Sequence, residues 1–301
     1  MYATKIDEGV YLLDTFALGH PNAIGAYVVR GSKVAIVDCG YPVTYNNILL
    51  GLAEIGITPS DVDYVIPTHV HLDHGGATGH LLKEMPNAQV VAQERAVPHL
   101  ADPTRLVESA TQVFGRAAIE TYGVPTPIPG ERMTAVGEEM HLDLGNGMTA
   151  TVMHTPGHAP HQVSVMLGRQ KLLITADAVG VIYPGTNAII PTTPPPSFDP
   201  KTLMDTMQRL SQFDPGSLLL PHFGVRRDPD MVFEGTRDKV TDWIERIGRM
   251  RREGLGFDEI VERMLGELAR ETGSGTLPSY ARVTARTSVM GITHYLEKTN
   301  A

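Results

Sequence analysis

"THVHLDHGG", residues 68–76, decides how the rest of the chain is read. Three histidines and an aspartate fall between His69 and His74, directly after the apolar run "VDYVI". In an extended chain, residues two apart point the same way, so His69 and His71 project together. Gly75 and Gly76 permit a sharp turn into a helix, and Asp73 and His74 therefore leave at a different angle. One short segment then feeds two adjacent metal ions, His69 and His71 on one, Asp73 and His74 on the other. Packing these four side chains without partners would carry a large desolvation cost. Imidazole and carboxylate together are metal-ligand chemistry. The helical His-x-x-x-His spacing of zinc proteases is absent.

The surrounding composition limits the alternatives. A chain of 301 residues with 42% hydrophobic residues can bury a sizeable core, as one large domain or two modest ones. The net charge of −9 argues against a nucleic-acid partner, because phosphate binding needs a basic face. The N-terminal "MYATKIDEGVYLLD" has no basic segment followed by an apolar run, and no stretch approaches the length that crosses a bilayer. These features predict a cytoplasmic protein without membrane contact. The single cysteine, Cys39, rules out an intrachain disulfide and reads as a packing residue.

Strand-like runs ("GVYLLDT", "AIGAYVVRG", "VAIVDCG") fill the start of the chain, with Gly31–Ser32 marking a hairpin between the last two. Helical periodicity follows from about Val43 to Ile55, with Ile48, Leu49, Leu52 and Ile55 on one face. "ATGHLLKEM" and the segment from Pro103 to about Tyr122 also read as helical, and "GVPTPIPGE" as a Pro-rich loop. More strands come later, in "EEMHLDLG", "MTATVMHTPGH", "HQVSVML", "KLLITADA" and "SLLLPHFG". A long Pro-rich loop over 183–200 has the length of a pocket wall or lid, and with the inserted helical segment 103–130 it would shape an apolar pocket. The helix "PKTLMDTMQRLSQF" comes between that loop and the last of those strands. Beyond about 225 the chain reads as helical. Val240, Trp243, Ile244, Ile247 and Met250 form one apolar stripe, and Ile260, Val261, Met264, Leu265 and Leu268 another. The stripes read as packing against the body, with a lid or a homodimer surface as alternatives. Strands interleaved with helices predict sheets inside and helices outside.

Three further apolar strands end in ligand-type residues. "MTATVMHTPGH" ends in His154 and His158, "KLLITAD" in Asp177, and "SLLLPHFG" in His222. Layered folds build sites where strand ends converge at one edge. His20 lies on an early loop. His80, His99, His141 and His294 read as helix or surface residues.

In this order, "THVHLDHGG", "HTPGH", "ITAD" and "LLLPHFG" resemble the metallo-β-lactamase-fold superfamily over the chain to about residue 225. The resemblance implies an α+β fold, a four-layer αβ/βα sandwich with a dinuclear metal site at its edge. Here it carries a helical C-terminal extension, within a single domain spanning 1–301. Carried over by motif, it places His69, His71 and His158 on the first metal and Asp73, His74 and His222 on the second, with Asp177 bridging. The Thr-Pro-Gly-His match selects His158 over His154 as the ligand. His161 matches a histidine that follows this motif in lactonase-like members and reads as structural.

Two divalent ions, zinc first and iron, manganese or cobalt as alternatives, would hold a water as hydroxide and polarise an electrophile. The resemblance implies a hydrolase of a small lactone, carboxylic ester or phosphotriester, and the run through "TPGHAPHQVSV" looks most like the lactonase and phosphotriesterase-like branch. Asp73 would also orient or accept a proton. Acyl-homoserine lactonases of that branch often carry a tyrosine three residues after the bridging aspartate. Gly180 stands there, and Tyr183, the nearest phenol, is the candidate for reaching the leaving oxygen. His71 replaces the glutamate of flavodiiron oxygen reductases. A mononuclear iron persulfide dioxygenase on the same fold is the main alternative. A metal-free binding protein would lack ligands, and all seven are present. An RNA-processing nuclease of this fold would be expected to show a basic arm.

Overall fold

The computed structural model of the chain describes residues 1–182, 186–273 and 277–299. The chain divides into two compact units. The first comprises Met1–Thr155, His161–Ala176 and Pro215–Arg227; the second comprises Pro156–Pro160, Asp177–Asp214 and Asp228–Ala301.

Two sheets dominate the first unit. The first has seven strands lying side by side in chain order: β1 (Ala3–Asp7), β2 (Val10–Asp14), β3 (Gly25–Arg30), β4 (Val34–Val37), β5 (Val62–Ile66), β6 (Gln89–Gln93) and β7 (Met133–Val136). The pairs from β1 to β4 are antiparallel, and those from β4 to β7 are parallel. The hairpin expected at Gly31–Ser32 is present, closing the Arg30↔Val34 pair. Parallel pairs need crossovers, and a single helix supplies each of the first two. These are α1 (Tyr45–Glu54), between β4 and β5, and α2 (Thr78–Glu84), between β5 and β6. The crossover from β6 to β7 carries α3 (Val97–Ala101), α4 (Thr104–Phe114) and α5 (Arg116–Tyr122). The single helical stretch expected up to Tyr122 is interrupted, because Gly115 takes a left-handed φ of 83° between α4 and α5.

The second sheet contains β8 (Glu139–Gly145), β9 (Met148–His154), β10 (Val163–Leu167) and β11 (Leu172–Ile174). The short pair β12 (Val181–Ile182) and β13 (Ile189–Ile190) belongs to the second unit. Helix α6 (Pro200–Ser211) precedes β14 (Ser217–Leu219) and β15 (Val225–Arg226), which complete the second sheet in the order β15-β14-β11-β10-β9-β8.

Strand alternation explains why β3 and β4 are buried almost throughout. Ala26, Val28, Val34 and Ile36 face a core shared with Ile48 and Leu52 of α1 and Leu81 of α2. Tyr27, Val29, Ala35 and Val37 point to the other face and meet Leu144, Val152, Val163, Val165 and Leu219 from the second sheet. The first unit is therefore helices on one sheet and that sheet on another. Each buried valine, leucine or isoleucine among them stabilises the layers by roughly 1.5–3 kcal/mol through burial.

Tyr27 has a second task. Its buried hydroxyl donates to the Leu220 carbonyl oxygen at 2.7 Å, and the Gly224 oxygen lies 3.0 Å away. The tyrosine thereby ties the loop carrying His222 to the middle of the first sheet. Tyr27→Phe is expected to cost about 0.5–1.5 kcal/mol in denaturant unfolding, the net worth of a hydrogen bond, because the Leu220 and Gly224 oxygens still accept the Phe223 and Leu220 N–H groups. It should also raise hydrogen exchange at residues 220–224 more than elsewhere.

In the second unit, α7 (Pro229–Arg252), α8 (Phe257–Glu271) and α9 (Ser279–Thr299) pack on one another. Val240, Trp243, Ile247 and Met250 of α7 are buried, with Ile244 half-buried. All five expected residues of the α8 stripe are buried too, so both stripes are internal packing. Among the described residues no helix is long and apolar enough to cross a membrane.

Candidate metal centre

The chain leaves β5 at Ile66 and bends through residues 68–76 before α2 begins at Thr78. The segment is not extended as its sequence suggests, yet His69 Nε2 and His71 Nδ1 still face each other at 2.9 Å. Gly75 and Gly76 are required for space rather than for a left-handed conformation, since neither has a positive φ. A Cβ on Gly75 would lie 2.6 Å from the His69 carbonyl oxygen, and one on Gly76 would lie 2.1 Å from that of Leu72. Backbone folding back this tightly is what gathers four ligand-type side chains.

A carboxylate that the sequence reading passed over holds the turn from behind. Asp38 follows β4 with φ 62° and is fully buried. Its Oδ1 accepts the Thr68 N–H at 2.8 Å, and its Oδ2 lies 3.0 Å from His74 Nδ1. The Cys39 N–H donates to the His74 carbonyl oxygen at 2.7 Å. An imidazole that donates Nδ1–H to a buried carboxylate keeps its Nε2 lone pair for a metal. That Nε2 lies 3.5 Å from Asp73 Oδ2. Two ligands at about 2.1 Å from a tetrahedral ion stand about 3.4 Å apart, so this separation fits. His222, on the loop after β14, completes the group: ligand atoms of Asp73, His74 and His222 all lie within 4.8 Å of one another.

The second unit contributes a matching pair. His158 Nδ1 donates to the Thr192 carbonyl oxygen at 2.8 Å, and its Nε2 faces Asp177 Oδ2 at 3.5 Å. The tautomer is set as in His74, here by a backbone acceptor from the Pro-rich segment. That segment was expected to be a pocket wall, and its described part holds a histidine ring. Gly157 has φ 129°, and a Cβ there would lie 2.4 Å from the Leu203 Cα of α6. The motif's glycine thus lets α6 approach His158 closely. Gly157→Ala is expected to lower thermal stability by several degrees, from a clash worth about 2–3 kcal/mol. It should weaken metal retention in parallel.

The other histidines divide clearly. His154 ends β9 with Nδ1 3.4 Å from the exposed Glu138 carboxylate. His161 is buried, with its ring 6.2 Å from that of His69 and 6.0 Å from that of His99. That places His99 beside His161, which periodicity did not reveal. His20 is exposed on its loop, and His80 stacks on Tyr45. Tyr183 lies outside the described residues.

Two phenols missed in the sequence stand near Asp73. Tyr41 and Tyr122 stack with ring centroids 4.8 Å apart. Burial, reinforced by the Asp73 carboxylate, pushes both hydroxyls above their ordinary range, so both stay neutral. Cys39 is buried and its thiol is pushed up to about 12, chiefly by desolvation, which agrees with its packing role.

The α+β fold carries imidazole and carboxylate groups that could hold a metal ion, Asp73, His74 and His222 among them. The chain belongs to the metallo-β-lactamase superfamily, whose family model matches residues 22–222. It is similar to the metallo-β-lactamase fold-containing protein ST1585 of Sulfurisphaera tokodaii, at 27% identity over 72% of this chain and 79% of that protein. The crystal structure of ST1585 superposes with a TM-score of 0.65 at 25% identity, covering 77% of this chain and 86% of that one. The N-acyl homoserine lactonase AttM of Azorhizobium caulinodans is 28% identical over 56% of this chain and 64% of its own length. The coenzyme F420H(2) oxidase of Methanothermobacter marburgensis is 29% identical over 59% of this chain and 42% of its own length.

Proposed function

We propose that the protein is a metal-dependent hydrolase of neutral lactones, carboxylic esters or phosphotriesters, in the lactonase-like branch of its superfamily. The observation that carries this reading is the group of Asp73, His74 and His222, with His74 Nδ1 held by the buried Asp38 so that Nε2 is turned to the group. In this reading His69, His71 and His158 hold one divalent ion, Asp73, His74 and His222 hold the second, and Asp177 serves both. When bound, the ions supply a hydroxide near neutral pH and polarise the electrophilic oxygen. Asp38 and the Thr192 carbonyl keep His74 and His158 in the ligating tautomer throughout turnover. Tyr183 is assigned to the leaving oxygen. Imidazole and carboxylate donors suit zinc, and equally iron, manganese or cobalt.

A redox reading has support from the similarity to the coenzyme F420H(2) oxidase. Against it, residue 71 is histidine, where the flavodiiron pattern has glutamate. Elemental analysis of the purified protein separates the hydrolase from the other redox alternative, a mononuclear iron persulfide dioxygenase. The hydrolase reading expects about two equivalents of zinc, manganese or cobalt-exchangeable metal per chain, with turnover on ester, lactone and phosphotriester panels. One equivalent of iron, with oxygen uptake on persulfides and no hydrolysis, would replace it by the mononuclear dioxygenase.

A further inference from the structure

Beside Asp73 the first unit carries an apolar surface that the metal chemistry does not use. Leu72, directly before Asp73, packs in a cluster with Ile119 of α5, against which Tyr41 and Tyr122 also rest. The stack of Tyr41 on Tyr122 continues outward, with the Phe114 ring 6.0 Å from Tyr122 in an edge-on arrangement. Phe114 is 40% exposed, Val43 50% and Val124 56%. These residues are neighbours: a Cβ on Gly123, between Tyr122 and Val124, would sit 3.0 Å from Val43 Cγ1. Arg116, on the same helix as Tyr122, has its guanidinium within 3.6 Å of Glu120, so that charge is already matched.

Exposed large apolar side chains scattered singly are ordinary, but a contiguous set leading from solvent to a candidate ligand is not. Stacked aromatics offer a rigid face at small entropic cost, suited to a flat or aliphatic group. We propose that Tyr41 and Tyr122, extended by Phe114, Val43 and Val124, form the specificity wall of the neighbouring site. Its occupant is the apolar acyl or alkyl chain of a neutral ester or lactone whose carbonyl lies at the metals. The inference rests on the hydrolase reading and names its substrate class, one with a hydrocarbon chain.

The test compares Tyr122→Ala, Tyr122→Phe and Phe114→Ala with the wild-type holoenzyme on p-nitrophenyl acetate and octanoate. Leu50→Ala, at an exposed apolar position on α1, serves as a control. Tyr122→Ala and Phe114→Ala are expected to lower the octanoate-to-acetate ratio of kcat/KM about tenfold, mostly through KM, as for loss of a few buried methylene contacts. Tyr122→Phe keeps the stack and should retain the ratio, as should Leu50→Ala. An unchanged ratio in Tyr122→Ala with wild-type metal content and circular dichroism would overturn the proposal. So would an unchanged ratio in Phe114→Ala accompanied by dissociation of a dimer, which would assign the patch to a second copy. Saturation-transfer NMR with octan-1-ol is read independently of turnover. Binding by the wild type that is lost in Tyr122→Ala supports the wall even if no ester is hydrolysed, a result that would sink the hydrolase reading alone. Equal binding by both proteins would overturn the wall.

Discussion

His222→Ala is expected to lower kcat/KM for a good ester or lactone by about 10³, equivalent to about 4 kcal/mol of transition-state stabilisation. It should also remove about one metal equivalent per chain, the stoichiometry assigned to a two-metal site. The position is well chosen because His222 is only half-buried on a loop. Its removal leaves no buried charge behind, so the fold should survive with a near-normal melting temperature. Stopped-flow assays and elemental analysis on the same preparation check both halves. Full activity with two metals retained would take His222 out of the ligand set.

Asp38→Ala should affect stability as well as the metal. The carboxylate accepts the Thr68 N–H and pairs with His74, and all three groups are buried. Removing it leaves an N–H and an imidazole without that partner, a loss of about 3–5 kcal/mol. Alanine also fits poorly at a φ of 62°, adding roughly 1–2 kcal/mol. Metal affinity should fall 10–100-fold in any folded fraction, the usual consequence of losing the partner that orients a ligating histidine. Asp38→Asn distinguishes the two effects. Asparagine tolerates the left-handed conformation and can still accept from Thr68, so most stability should return. His74 would then face an amide in place of the carboxylate, and the metal defect should persist. Urea unfolding and competitive metal titration give the two readouts.

Sequence periodicity exposed the strands that carry His69, Asp177 and His222, because an apolar run ending in a ligand-type residue is visible without any structure. Asp38 ends β4 in the same way, but an acid before Cys-Gly reads equally well as a turn residue. Its left-handed backbone and its reach to His74, 36 residues away, exist only in the folded chain. Likewise, nothing local in "PTTPPP" shows that the Thr192 carbonyl meets His158. Strands β2 to β5 of the first sheet were legible as apolar runs and β1 and β7 were not, and the switch from antiparallel to parallel pairing at β4 depends on crossovers set by tertiary packing. The break at Gly115 was missed because a glycine inside a helical pattern is often tolerated. Tyr41 and Tyr122 lie far apart in the chain, and no periodicity links them.

The place of β14 has a consequence for biogenesis. It pairs in parallel with β11, and α6 intervenes between them in the chain. Until the ribosome has delivered residues 217–219, β11 is an open edge of the second sheet, and His222 has not yet emerged. A nascent chain halted after α6 would therefore expose unpaired backbone along Leu172–Ile174, a template for misassociation with its siblings. Completion of the candidate metal site and protection of this edge would then arrive together, as β14 and the loop after it are synthesised.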